Sequence, residues 1–258
     1  MPAVFLGHGS PMNTLADNRY TQAWRAIGKK VPQPTAILAV SAHWYIRGTA
    51  VTAMQAPRTI HDFGGFPQAL FDYQYPAPGS PALAQRVREI LAPLAVRADE
   101  SWGLDHGTWS VLAHVFPKAD IPVVQLSIDA SQPPSFHYDL GKRLAPLRDE
   151  GVLVVASGNV VHNLGVLNWK DDAPAYDWAQ RFNDAVGGYV RKCEHGPLVD
   201  YENLGDDARL SIPTLEHYLP LLYILGLQDE GEPALIAIDG IQNASISMMT
   251  VVVGGDAL

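Results

Sequence analysis

Four histidines stand where hydrophobic runs give way to small residues or where an apolar stretch begins. His8 follows Ala3-Val4-Phe5-Leu6-Gly7, and His43 follows Ala36-Ile37-Leu38-Ala39-Val40-Ser41-Ala42. His162 follows the run from Val152 through Ser157-Gly158-Asn159 to Val161, and His217 opens onto Tyr218-Leu219-Pro220-Leu221-Leu222-Tyr223. Neutral imidazole is a good ligand for iron, zinc, copper and nickel. A lone histidine is usually structural; the shared context is what raises these four. In open α/β sheets, sites form outside the carboxyl ends of strands. Three histidines at three strand ends can therefore meet at one point, and a metal site is expected there.

Two more histidines are candidates. His106 lies in Leu104-Asp105-His106-Gly107-Thr108-Trp109, where Asp105 is available to orient an imidazole, and His61 lies in Ile60-His61-Asp62-Phe63-Gly64-Gly65-Phe66-Pro67. His114, His137 and His195 fall on predicted helices or near a helix end and read as structural. Competing motifs are weak. Gly7-His8-Gly9-Ser10-Pro11 is not a nucleophile elbow, which needs serine between the glycines. No G-x-G-x-x-G or Walker loop stands between a strand and a helix, and H-E-x-x-H is absent. Glu216 and His217 are neighbours in sequence, so their side chains are expected to point different ways.

The elements that must position these residues alternate between strand and helix. Val4 to Leu6, Ile37 to Val40, Val123 to Ile128 and Val152 to Ala156 are short aliphatic runs of the kind buried on both faces of a parallel sheet. Ser80-Pro81 looks like an N-cap followed by proline in the first turn, with Leu83, Val87, Ile90 and Leu91 at helical spacing. Phe136, Leu140, Leu144 and Leu147 form a second stripe stopped by Gly151; Trp178, Phe182, Ala185 and Tyr189 form a third, with Arg191 and Lys192 at its end. Ala244 to Val253 reads as a final strand. From Ala56 to Pro81 the chain is rich in Gly, Pro and aromatic residues. Long loops in compact domains are often functional, and this one is expected to fold over the site with His61 or Phe63 near a substrate.

Composition narrows the function classes. The 258 residues are 47% hydrophobic, enough for one domain spanning residues 1–258 with a sizeable core. With 18 Lys plus Arg against 27 Asp plus Glu, the formal charge is −9, which disfavours nucleic acid as a partner. Cys193 is the only cysteine, so neither an internal disulfide nor a cysteine-rich zinc site can form. A reducing, cytoplasmic setting fits that usage. Met1-Pro2-Ala3-Val4-Phe5-Leu6-Gly7 does not read as a signal peptide, and no apolar run reaches the roughly 18 residues of a membrane span.

Taken in order, Leu6-Gly7-His8-Gly9-Ser10-Pro11, Ser41-Ala42-His43-Trp44, Ile60-His61-Asp62-Phe63-Gly64-Gly65-Phe66-Pro67, Asp105-His106-Gly107-Thr108-Trp109, Ser157-Gly158-Asn159-Val160-Val161-His162-Asn163 and Glu216-His217-Tyr218-Leu219-Pro220 form a specific set. Together they resemble the class III extradiol ring-cleavage dioxygenases, in their bacterial and plant 4,5-DOPA dioxygenase branch, over essentially the whole chain. The resemblance implies one α/β domain with a mainly parallel central sheet flanked by helices on both faces. It also implies a mononuclear non-haem Fe(II) site. Better-known relatives use two histidines and a glutamate. The first two positions fall on His8 and His43, the third falls at Glu216-His217, and this branch resembles a three-histidine arrangement using His217. An all-nitrogen set also suits Zn(II), and His162 would then serve as a fourth ligand.

The implied reaction opens a catechol-type ring with O2 to a muconic semialdehyde. A small aromatic diol and O2 would be the partners. His162 would accept a proton from the diol and later return one, and His106 would hydrogen-bond oxygen or substrate. Trp44, Phe63, Phe66 and Tyr218, together with His61, would line an aromatic pocket. Two alternatives share the residues: a zinc-dependent hydrolase at the same site, and a Memo-like binding protein without catalysis. The presence of both His106 and His162 argues against pure binding, which needs no paired acid–base groups.

Overall fold

Alternation along the aliphatic strands divides the interior into two layers. The computed structural model describes residues 1–170 and 173–255. Its strands are β1 (Ala3–Gly7), β2 (Ala36–Ile46), β3 (Thr49–Thr52), β4 (Val96–Asp99), β5 (Val123–Asp129), β6 (Val152–Gly158), β7 (Ala234–Ile238), β8 (Ile241–Gln242), β9 (Ile246–Ser247) and β10 (Thr250–Val253). Eight form one sheet in the order β4-β3-β5-β2-β6-β1-β10-β7, and β8 pairs with β9. The central strands β5, β2, β6 and β1 are parallel. β3 meets β5 antiparallel, and β10 is antiparallel to both β1 and β7. This is the mainly parallel α/β sheet expected from the aliphatic runs.

Successive strand residues face opposite layers. Phe5, Leu38, Val40, Val154 and Ala156 pack with the helices Pro81–Ile90, Pro134–Leu144, Asp177–Lys192 and Leu219–Gly226. Leu6, Ile37, Ala39, Leu153 and Val155 pack with the helices Arg19–Lys30 and His106–Val115. Because the central strands are parallel, their carboxyl ends reach one edge together. Gly7 lies opposite Gly158, and Ser41 lies opposite Ser157.

Several local expectations are corrected. β2 continues past His43 to Ile46 where a loop was expected. Val40 pairs with Leu126 but Tyr45 with Ile128, so β2 bulges between them, and His43 sits on the bulge. Ala244 to Val253 is not one strand; β9 and β10 are separated at Met248 and Met249. The stripe ending at Leu147 is split where Pro146 starts a new short helix, Pro146–Asp149. On Asp177–Lys192 the buried face is Ala179, Phe182, Val186 and Val190, with Ala185 exposed. The stripe is thus rotated from the one read through the aromatic residues, because Trp178 and Tyr189 are only partly covered. The aromatic loop from 56 to 81 holds a short helix, Gln68–Phe71. Among the described residues, no helix is long and apolar enough to cross a membrane.

Candidate metal centre

The ends of β1 and β6 and the bulge of β2 deliver His8, His162 and His43 to one cleft, and the turn before Leu219–Gly226 delivers His217. The His8 backbone N–H donates to the Gly158 carbonyl at 3.1 Å, which ties the first strand end to β6. Gly158 has to be glycine. A Cβ there would lie 2.2 Å from the His217 carbonyl oxygen, so the small residue lets the His217 turn press onto the sheet edge. Gly107 plays the same part beside β2, where a Cβ would stand 2.7 Å from the His43 ring.

Three imidazoles form a nearly equilateral triangle. Ring centroids are 5.1 Å apart for His8 and His43, 5.3 Å for His8 and His217, and 5.1 Å for His43 and His217. Each ring has a partner at Nδ1. His8 Nδ1 lies 2.9 Å from Ser157 Oγ, His43 Nδ1 3.4 Å from Asp62 Oδ2, and His217 Nδ1 3.3 Å from Glu216 Oε1. Assigning the ring proton to Nδ1 in each leaves a lone pair on every Nε2. Those atoms turn toward one another: His8 and His43 bring Nε2 to within 3.3 Å, and His217 Nε2 is buried with no hydrogen-bond partner. One nitrogen from each ring fits within 4.8 Å of the others. Carboxylate or hydroxyl partners behind ligand histidines are the usual support of a metal centre, so the donor set fits a metal ion.

Electrostatics favour the neutral rings that metal binding needs. Burial, and then the neighbouring imidazoles, hold His8 and His217 well below the ordinary histidine range. Burial and His106 bring His43 down to about 3, against the opposing pull of Asp62. Burial lowers His162 to about 4, while the Glu216 carboxylate works in the other direction.

The two remaining imidazoles flank the triangle. His162 stacks on His217 with centroids 3.5 Å apart and planes 7° from parallel, and His106 lies 3.8 Å from His43. Asp62 comes from the aromatic loop and had no role in the sequence reading. Its Oδ1 accepts the backbone N–H of His106 at 2.9 Å and lies 2.9 Å from His106 Nδ1, off the line of a good hydrogen bond. Burial opposes its charge, but the His106 contacts keep its carboxyl below the usual range. Asp105, the expected partner of His106, instead caps the helix His106–Val115 by accepting Thr108 N–H and also binds Gln125. Its carboxyl is raised by burial and by Asp62.

A cleft of about 430 Å³ opens above these rings. Phe63 and Phe66 reach it from the aromatic loop, and Leu164, Leu167, Trp169 and Ile246 complete the apolar part of its lining. Trp44 and His61, expected against a substrate, do not line it. His43 and Trp44 are consecutive on a strand and so face opposite ways; Trp44 is buried and stacks on Trp102 at 5.6 Å. His61 Nε2 lies 2.9 Å from the Tyr73 carbonyl oxygen, and its ring packs against Phe63, Phe71 and Trp109. Tyr218 is buried, donating to the Leu198 carbonyl. Glu216, expected to point away from His217, folds back to it and also accepts from Thr214 Oγ1 at 2.7 Å. Ser157, Leu164, Leu167, Trp169 and Asn243 carried no assignment in the sequence reading. The parallel pairing of β1 with β6 is what brings Ser157 to face His8 from the neighbouring strand.

The model of the family described as the catalytic LigB subunit of aromatic ring-opening dioxygenase matches residues 2–251. The chain is 57% identical over 258 residues to "4,5-DOPA dioxygenase extradiol" of Escherichia coli (strain K12), covering 98% of this chain and 95% of that protein. It is 37% identical over 239 residues to a protein of the same name from Beta vulgaris, covering 89% and 88%. A crystal structure of an uncharacterized protein from Escherichia coli K12 superposes with a TM-score of 0.87 at 51% identity, covering 98% of this chain and all (100%) of the other.

Proposed function

Because the chain belongs to the LigB family, and so is an extradiol ring-opening dioxygenase of a metal-dependent family, we propose that its cleft opens a small catechol with O2, using His8, His43 and His217 to hold Fe(II) and His162 to move the proton. The carbon–carbon bond beside the diol breaks. The oxygen-bearing carbon becomes a carboxyl and its neighbour an aldehyde. Both atoms of O2 stay in the product, so no outside reductant is consumed.

The observation that carries this reading is the convergence of three Nε2 atoms, each backed at Nδ1 by Ser157, Asp62 or Glu216. Bound there, Fe(II) supplies a Lewis-acidic and redox-active template for diol and O2. The imidazoles occupy one side and leave the cleft side for substrate. His162 is held neutral by burial at pH 7, and so is in the form that accepts a proton from the diol. The negative charge that the diol gains strengthens the hold of His162 on that proton, which it returns as the ring opens. His106, whose backbone N–H donates to Asp62, would donate from its ring to an oxygen of the substrate. Phe63 and Phe66 exclude water and flank the ring. Zn(II) also suits the three nitrogens, but His162, expected as a fourth ligand, stacks face to face on His217 and its nitrogens do not join those of His8 and His43.

The test is aerobic oxygen uptake with catechol after anaerobic loading with Fe(II) or with Zn(II). The Fe(II) form should consume one O2 per ring and give a coloured semialdehyde, and the Zn(II) form should consume none. Hydrolysis of an ester or amide by the Zn(II) form with no oxygen uptake by the Fe(II) form would replace this reading with the hydrolase.

A further inference from the structure

Gln125 interrupts an otherwise aliphatic strand. Val123, Val124, Leu126 and Ile128 surround it on β5. By alternation its side chain shares the face of Val123, which packs in the layer of the helix His106–Val115. The residue is 0% exposed. An amide buried among apolar side chains is unfavourable unless its polar atoms are bonded. Neither the metal triangle nor the proton transfer uses it.

Its side-chain bonds all run to one place. Nε2 donates to Asp105 Oδ2, and Oε1 accepts the Thr108 hydroxyl at 3.0 Å and the Asp105 backbone N–H at 3.4 Å. Asp105 in turn caps the helix by accepting the Thr108 N–H at 3.1 Å. The Gln125 backbone is tied to β3, its N–H donating to Thr52 Oγ1 at 2.8 Å. The amide therefore clamps the first turn of the helix to the sheet, and His106 is the first residue of that turn. From the cleft side, Asp62 accepts the His106 N–H at 2.9 Å.

The turn has little slack. A Cβ on Gly107 would stand 2.4 Å from Ser41 Oγ, which accepts the His43 backbone N–H at 3.2 Å. The helix start is thus wedged against the bulge that carries His43, with the His43 and His106 rings 3.8 Å apart. Burial and Asp62 push the Asp105 carboxyl up, and bonds from Ser41 and Gln125 resist that rise, so loss of the amide weakens the cap.

We propose that Gln125 is a positioning residue for ring opening: by clamping Asp105 and Thr108 it fixes the start of the helix His106–Val115, and so sets where the His106 ring meets the substrate. The proposal rests on the reading above that His106 donates to a substrate oxygen. Gln125 acts only through that ring. A reacting group displaced by about 1 Å can lose about 100-fold in rate.

The experiment is a double-mutant cycle on the Fe(II)-loaded enzyme with catechol, comparing wild type, Gln125→Leu, His106→Ala and the double variant below their thermal midpoints. Leucine keeps the bulk and removes the amide. Gln125→Leu should retain its Fe(II) and its anaerobic affinity for catechol, with kcat lowered about 10- to 100-fold. In the His106→Ala background the same change should lower kcat less than about twofold, because residues acting through one group are not additive. A second readout needs no turnover. With Zn(II) in place of Fe(II), nitrogen NMR of the imidazoles should show the His106 signals moved by Gln125→Leu and those of His195 unmoved. Thr108→Val, which removes a single bond to the amide, should give the same pattern at a few-fold size, and it replaces the leucine variant if that one does not fold. Wild-type kcat in Gln125→Leu overturns the proposal, and so do equal losses in both backgrounds, which mark a general structural role. Either result leaves the assigned reaction standing. Full turnover in His106→Ala removes the part given to His106 and this proposal with it. Absence of ring opening in the wild type overturns the assigned reaction, and an unmoved His106 signal then overturns the positioning as well.

Discussion

Replacing Asp62 by asparagine is the most revealing single perturbation. The carboxylate touches two imidazoles at once, Oδ2 at 3.4 Å from His43 Nδ1 and Oδ1 at 2.9 Å from His106 Nδ1. Asparagine keeps the size, and its oxygen can still accept the His106 backbone N–H. What changes is the sign of the group facing His43. An amide N–H turned to His43 Nδ1 makes that nitrogen an acceptor and moves the ring proton to Nε2. That is the atom 3.3 Å from His8 Nε2, where a metal ligand needs its lone pair. Loss of a supporting partner behind a ligand histidine typically costs about 10- to 100-fold in metal affinity, about 1.4 to 2.7 kcal/mol. Asp62 is not itself a core residue, although its loop packs on the core through Phe63, Leu70 and Tyr75, and asparagine keeps its place, so the thermal midpoint of the metal-free protein should barely move. Anaerobic competition with a chelator for Fe(II) reads the affinity, and calorimetry of the apoprotein reads the fold. Wild-type metal affinity in Asp62→Asn would refute the tautomer argument. A large drop in apoprotein stability would make Asp62 a structural residue instead.

Three further outcomes follow from the same geometry. His162→Ala should keep Fe(II) and still bind catechol while turnover falls about 100- to 10,000-fold; loss of metal and substrate binding together in metal analysis and titration would make it an essential ligand. Glu216→Gln should keep the metal whereas His217→Ala should lose most of it, and the reverse pattern would restore a two-histidine, one-carboxylate site. His137 sits buried on Tyr223 with its protonation lowered by burial from 6.5 to about 4. The unfolded chain therefore binds the extra proton between those values, and stability falls as pH drops from about 6.5 to about 4, by at most about 3 kcal/mol, then levels off. Denaturant titrations of wild type and His137→Gln across that range should diverge only there; parallel curves would remove His137 as a source of acid sensitivity.

The centre of the sheet was legible because β1, β2, β5 and β6 are buried on both faces and so read as unbroken aliphatic runs. Short outer strands were not. β3 (Thr49–Thr52) and β4 (Val96–Asp99) have four residues each, and two of those in β4 face solvent, too few to show a period. Arg19–Lys30 buries only Tyr20, Thr21, Trp24 and Ile27, and its cap is an Asn18–Thr21 pair in place of the usual glutamate at the third position. His8, His43, His106, His162 and His217 were readable from type and context. Their supports were less so: Asp62 and Ser157 become visible only once loop and strand are placed in space. Trp44 could have been excluded from the cleft by alternation alone, since it follows His43 on the same strand. Trp169 and Leu164 lie in a stretch without period, and nothing in their local pattern marks them as part of the cleft.

The central claim is that three imidazoles, and no carboxylate, hold one metal ion in this cleft. Metal content per chain after anaerobic loading with Fe(II) and desalting tests it most directly, in the wild type and in His8→Ala and His43→Ala. The wild type should retain one Fe(II) per chain, and each variant should lose most of it. Full occupancy in both variants would contradict the account.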